Sequence, residues 1–215
     1  MTMAHQLKLK FYLDHVQSQI YSEGTSPMHE TGTRDSIERF IDPLRLPEDS
    51  CVLDLGCGPG YFLDLMRDRG YHDITGITLS RDDAAMCQHK GHQVRLADMN
   101  FLPERDETVD LLWCRHGLEH SPFPYFSLIE YNRVLRPGGV LYVEVPQPDC
   151  DRPHETNPNH YSIMGRAMWL SLLQRTGFDV AWHDVEMSVR LADHTPALER
   201  SYAFVCHRRR SMDIK

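Results

Sequence analysis

The chain lacks most of what marks a membrane or secreted protein. None of its apolar runs reaches the length that spans a bilayer. The first residues, Met1-Thr2-Met3-Ala4-His5-Gln6-Leu7-Lys8, contain no apolar stretch of the signal-peptide kind. The six cysteines, at 51, 57, 87, 114, 150 and 206, include no Cys-x-x-Cys pair. They read as reduced thiols, and the expected compartment is cytoplasmic. A basic excess is also missing: 31 acidic residues outnumber 23 Lys and Arg, and the net charge is −8. The one basic run, His207-Arg208-Arg209-Arg210, lies at the tail and reads as a solvated terminus. A polyanion needs a basic face, so this balance weighs against a nucleic-acid partner without excluding one. No basic amphipathic helix points to a membrane surface. Internal repeats and low-complexity segments are missing too, and no pattern sets an oligomeric state.

What is present is a globular composition. With 215 residues, 41% hydrophobic and 25% charged, the chain fits one domain with a full core. Leu9, Leu13, Val16 and Ile20 give residues 7–21 a helical period. Residues 24–32 read as a breaker-rich connection, and 34–41 as a short helix stopped by Asp42-Pro43. From Cys51 onward, strand and helix patterns alternate. Strands are predicted at 51–55, 73–78, 93–97, 109–114 and 139–145, and helices at 60–69, 81–89, 124–135 and 162–175. Arg136-Pro137-Gly138-Gly139 closes the fourth of these helices. Such alternation implies a parallel sheet with helices on both faces. Residues 178–189 and 201–207 are strand-like with no helix between them, so an antiparallel hairpin is expected at the end. The chain divides into an N-terminal helical lid or cap, 1–46, and an α/β body, 47–215.

The densest signal is Cys51-Val52-Leu53-Asp54-Leu55-Gly56-Cys57-Gly58-Pro59-Gly60. A buried strand ends near an acid, and three glycines follow at alternate positions. Glycine tolerates positive φ and lets a ligand approach the backbone. A dinucleotide fingerprint needs glycine at the first, third and sixth positions. Counted from Gly56, the sixth position is Tyr61, so that fingerprint fails. Asp54 stands where a pyrophosphate is repelled, whereas a cationic cofactor tolerates it.

This segment resembles motif I of the class I S-adenosylmethionine (SAM) dependent methyltransferases, over roughly residues 48–207. The resemblance implies a doubly wound, Rossmann-like, seven-stranded, mostly parallel sheet with a terminal antiparallel hairpin. It implies SAM as cofactor, held by Asp54, Gly56, Cys57, Gly58, Gly60 and Tyr61, and further along by Thr78, Leu79, Asp98, Met99 and Cys114. The family usually has a ribose-binding acid at position 78. Here Thr78 stands there, as a weaker ribose contact or simply as a β-branched strand residue. Cyclopropane-fatty-acid-synthase-like methyltransferases carry similar Gly-Ile-Thr-Leu-Ser segments. Asp98 with Met99 resembles the adenine-binding pair, a helix cap being the other reading. Asp110 reads as structural.

Beyond the fourth strand comes His116-Gly117-Leu118-Glu119-His120, at the sheet end where α/β proteins place ligands. On a helical turn, positions i, i+3 and i+4 share a face, which makes His116, Glu119 and His120 candidate metal ligands. His160, in the polar loop after the fifth strand, is the fourth. The set resembles metal-dependent RNA 2′-O-methyltransferases with Glu-x-x-Glu-His and a distal His. His116 in place of the first Glu shifts the expected ion from Mg²⁺ towards Fe²⁺, Mn²⁺, Co²⁺ or Zn²⁺. In the metal-free reading, His120 or His160 is the catalytic base. His-x-x-Glu-His is also a protease signature, but Gly117 and Ser121-Pro122-Phe123-Pro124 break the long helix it requires.

Tyr161 and Arg166 are candidate substrate contacts, and Tyr12, Tyr21 and Arg34 candidate lid residues. His154, Glu155 and His194 read as solvated loop residues. Met164, Met168, Trp169 and Leu172 read as core. The resulting expectation is O-methylation of a small-molecule or glycan-like hydroxyl substrate. The alternatives are N- or C-methylation, or a non-catalytic SAM- or metal-binding protein.

Overall fold

A computed structural model describes residues 3–17, 19, 22, 24–190 and 195–209. The chain begins with α1 (Met3–Gln17) and α2 (Pro27–Ser36), which runs into a π turn (Ile37–Ile41) and a 3₁₀ turn (Asp42–Leu44). Then follow β1 (Val52–Leu55), α3 (Tyr61–Arg67), β2 (Ile74–Thr78), α4 (Arg81–His89) and β3 (Gln93–Leu96). The second half contains β4 (Val109–Arg115), a 3₁₀ turn (Leu118–His120), α5 (Pro124–Val134) and β5 (Leu135–Pro146). A short turn (His154–Thr156), α6 (Arg166–Arg175), β6 (Phe178–Arg190) and β7 (Pro196–Arg208) complete it.

The seven strands form one sheet in the order β3-β2-β1-β4-β5-β7-β6. β1 to β5 pair in parallel, and β7 inserts antiparallel between β5 and β6. The expected architecture is therefore the observed one. Alternate residues of β4 supply two different cores. Leu112 and Cys114 join Leu128, Tyr131 and Trp169 on one face. Leu111 and Trp113 join Phe62, Met66 and Ile37 on the other. Burial on both faces is why these strands read as continuous apolar runs. Phe62, Trp113 and Tyr142 stack at 4.5 and 4.3 Å on the second face. Asp110 is structural, accepting the Cys51 N–H at 2.7 Å.

Element boundaries differ in instructive places. The stretch read as a connection holds the first turns of α2, because Ser26 accepts the His29 N–H as N-cap and Pro27 fits the first turn. α1 begins four residues early. β5 starts at Leu135, so Arg136-Pro137-Gly138-Gly139 lies inside the strand. Gly138 adopts φ 83°, and the register against β4 shifts between Val109 and Leu111. α6 begins at Arg166, four residues late. Trp169 is fully buried, and Met164 and Leu172 pack on its core, but Met168 is half exposed.

Candidate functional site

The chain winds outward through β2 and β3, then returns to lay β4 beside β1. The strand order reverses between these two, and α/β sheets open a ligand crevice at such a point. At its base, Gly56, Gly58 and Gly60 take φ of 79°, 47° and 87°, a turn that only glycine adopts cheaply. A Cβ on Gly117 would press on Leu55 O at 3.0 Å, so the β1 and β4 ends meet closely here.

A cleft, partly open to solvent, lies over this turn. One end is lined by Thr78, Leu79, Asp98, Met99 and Asn100, and the other by His116, His120 and Tyr161. An adjoining chamber is lined by Asp54, Cys57, Tyr61 and Arg115, with Gly56, Gly58 and His116 shared between the two. Burial pushes the Asp54 carboxyl well above the usual range. Asp98 is also pushed up by burial, against two hydrogen bonds to its Oδ1 from the Asn100 backbone and amide. The Thr78 hydroxyl accepts the Ser80 N–H at 3.0 Å. Tyr61 Oη accepts the Ser26 N–H at 2.6 Å and so ties the start of α2 to the glycine turn.

Two of the expected cofactor residues line neither the cleft nor the adjoining chamber. Cys114 is fully buried, its sulfur in the core beneath Gly117, because β4 alternation turns it away. Gly60 opens α3 from behind the turn, with Cys87 against it.

The histidine end is built by a clamp between two loops. The carbonyl of Glu119 accepts the N–H groups of both Tyr161 and Ser162, at 2.9 and 3.0 Å. The Ser162 hydroxyl adds a bond to Ser121 O at 2.8 Å. This brings His160 to His120, with ring centroids 4.8 Å apart. His120 Nδ1 donates to Asn159 O at 2.9 Å, and His160 Nδ1 donates to His154 O at 3.0 Å. A carbonyl only accepts, so in each neutral ring the lone pair is on Nε2. Burial holds His160 below the ordinary His range. Glu119 is 1% exposed, and its Oε2 has no hydrogen-bond partner among the described residues. Ligand atoms of Glu119, His120 and His160 lie within 4.8 Å of one another. Two ligands on one ion at about 2.1 Å span up to about 4 Å, so small rotations close the set.

His116 stands apart from that set. The helical turn begins only at Leu118, and His116 itself adopts φ 49°, so the shared-face geometry does not form. Its Nδ1 is 3.3 Å from Glu119 Oε1 and its Nε2 is 3.4 Å from Glu144 Oε1. Burial works against its charge, but the two carboxylates outweigh it and lift its pKa to about 9.

The sequence and fold have close counterparts. Residues 29–190 match the family described as "Methyltransferase domain". The chain belongs to this family. It is 25% identical over 176 residues to 27-O-demethylrifamycin SV methyltransferase of Amycolatopsis mediterranei, covering 74% of this chain and 65% of the relative. It is 29% identical over 217 residues to sarcosine/dimethylglycine N-methyltransferase of Halorhodospira halochloris, covering 90% and 71%. A SAM-dependent methyltransferase structure from Archaeoglobus fulgidus superposes with TM-score 0.71 at 19% identity, over 92% of this chain and all of that one. Against a malonyl-[acyl-carrier protein] O-methyltransferase of Salmonella typhimurium, the match covers 45% of the relative. The chain thus spans about half to two thirds of several relatives. No helix among the described residues is long and apolar enough to cross a membrane.

Within this methyltransferase domain, several further expectations change. Arg166 stacks over Trp182 at 3.8 Å instead of facing the site. Arg34 pairs on the surface with Glu30. His154 is buried, 3.6 Å from Glu199, with its pKa lowered by burial to about 4. Glu155 is exposed and accepts the Asp149 N–H. Tyr161 does line the cleft. Tyr21, His194 and the Tyr12 side chain lie outside the described residues.

Three site residues went unread. Asp83, in the first turn of α4, lines the cleft near Thr78 and accepts the Ser22 hydroxyl at 2.5 Å. The Ser80-x-x-Asp83 cap spacing signals it. Arg115 and Glu144 form a buried ion pair at 3.1 Å. A lone acid inside the apolar run Val140–Pro146 was the available signal, since a buried charge requires partners.

Proposed function

We propose that the chain is a SAM-dependent methyltransferase acting on a hydroxyl of a small polar or glycan-like acceptor. Bound SAM supplies the sulfonium methyl, and the protein supplies position and proton control. The open glycine turn, the Asp98–Met99 end of the cleft and the buried chamber at Asp54 fit its adenosine and methionine halves. Asp83 offers the ribose an acid that Thr78 does not.

The observation that carries the oxygen-acceptor reading is the Glu119–His120–His160 cluster at the cleft's end. Its two imidazole lone pairs and one unsatisfied carboxylate oxygen suit a divalent cation of the Fe²⁺, Mn²⁺, Co²⁺ or Zn²⁺ kind. A cation held there lowers the pKa of a coordinated hydroxyl. Without one, the neutral His120 or His160 ring takes the acceptor's proton.

The test is His120→Ala. Turnover is expected to fall by about 10²–10⁴-fold, while SAM affinity stays within a few-fold by calorimetry. Retained turnover on a hydroxyl acceptor would sink both versions. Chelation then separates them. Loss of turnover with EDTA and recovery with Mn²⁺ supports the cation, and indifference to EDTA supports the histidine base. The N-methyltransferase relative, matched over 90% of this chain, motivates a second reading with an amine acceptor. An amine nucleophile needs little base help, so His120→Ala would leave its methylation nearly intact.

A further inference from the structure

We propose that Glu144 and His116 form a positioning arm that holds one oxygen of Glu119 and aims the other at the cation. The inference rests on the cation reading above. Glu144 sits in β5, 1% exposed, and both of its oxygens are occupied. Oε2 accepts the Tyr142 hydroxyl at 2.6 Å and the Ser36 hydroxyl at 2.8 Å. Oε1 faces Arg115 Nε at 3.1 Å and His116 Nε2 at 3.4 Å. Three elements, α2, β4 and β5, thus fix one carboxylate.

That carboxylate fixes His116 in turn. The His116 N–H also donates to Glu144 O at 2.8 Å, which ties the backbone to the same strand. The residue is held at φ 49°, a conformation few non-glycine residues adopt, so the surroundings over-determine it. With Nε2 on Glu144, the ring presents Nδ1 to Glu119 Oε1. Glu119 is left with Oε2, which has no hydrogen-bond partner among the described residues, and a carboxylate oxygen of Glu119 lies within 4.8 Å of ring nitrogens of His120 and His160. An outer partner of this kind typically changes metal affinity by about 10–100-fold when removed.

Gly32 makes the arm possible from the other side. A Cβ there would come within 2.5 Å of Arg115 Nη2 and of Met187 Cε, so glycine at 32 lets α2 seat close against the guanidinium without displacing either side chain. The N-terminal helix is therefore part of the support and not merely a cover.

The experiment is Mn²⁺ binding to the full chain, read by electron paramagnetic resonance, beside SAM affinity. The variants are Glu144→Gln, which keeps shape but loses charge, and His116→Asn, since Asn tolerates positive φ. Glu144 lines neither cofactor chamber, so SAM binding reports on its folding. Mn²⁺ affinity is expected to drop about 10–100-fold in Glu144→Gln, with SAM affinity within about twofold. If Glu144→Gln loses SAM binding, the His116→Asn result decides, with its folding read from the urea midpoint because His116 itself lines the cofactor cleft. Unchanged Mn²⁺ affinity in a folded variant overturns the arm alone. A wild-type chain that binds no Mn²⁺ overturns the cation reading, and the arm falls with it.

Discussion

Gly60 is constrained from two directions. Its φ of 87° costs an L-residue about 1–2 kcal/mol. A Cβ would also lie 2.8 Å from Cys87 Sγ, which is buried and donates to Gly58 O at 3.3 Å. That sulfur cannot swing away, so crowding adds about 1–3 kcal/mol. Gly60→Ala is expected to be destabilised by the sum, read from urea midpoints. In a double-mutant cycle, Cys87→Ala should recover the crowding part and leave the backbone part. Additive effects would show that the sulfur is not the obstacle. This residue was legible in the sequence as a turn glycine, but its crowding was not. The sulfur arrives from 27 positions away, on another helix. Glu144 shows the reverse case, where a charge in an apolar strand announced burial and only the fold could name its partners.

At the scale of elements, the tie between α3 and the end of α4 rests on Asp64. Its carboxylate meets Lys90 at 2.7 Å, His92 at 2.7 Å and Arg67 at 3.1 Å. Burial alone raises its pKa, but the bonds from Lys90 and His92 outweigh that and hold it below the ordinary 3.8. A depressed folded pKa stabilises fully above the unfolded value and is lost as pH falls through the folded one. Wild-type stability should therefore decline with pH below about 4 more steeply than that of Asp64→Asn. At neutral pH the variant should be the less stable of the two. Parallel denaturant curves across that range would count against the tie. Among the elements whose two faces are both buried, β1, β4 and β5 were legible from their largely apolar runs, and β2, Ile-Thr-Gly-Ile-Thr, from its β-branched residues. The start of α2 was not, because Ser26 and Pro27 are breakers inside a helix and caps at its edge. The same ambiguity hid the start of β5, where Pro137 and Gly138 mark a bulge within the strand.

The whole molecule is organised around one seam, where the β1 and β4 ends meet. The groups proposed to hold SAM come from several elements around it, and the two cores on either side of the sheet set their spacing. A ligand spanning Asp54, Asp83 and Asp98 binds only the folded chain, so it must stabilise it. At a hundredfold excess over Kd the linkage is worth about 2.7 kcal/mol. For a chain of this size, that is a rise of about 5–10 °C in the unfolding midpoint. SAM and its demethylated product should both produce it. NAD should not, because Tyr61 occupies the sixth position of the turn and Asp54 opposes a pyrophosphate. Asp98→Ala should lose most of the SAM shift while Glu144→Gln retains it, since only the first lines the cleft. Equal shifts from NAD and SAM would mean that the glycine turn does not discriminate by charge. The assignment of the seam to a sulfonium cofactor would then fail at its base.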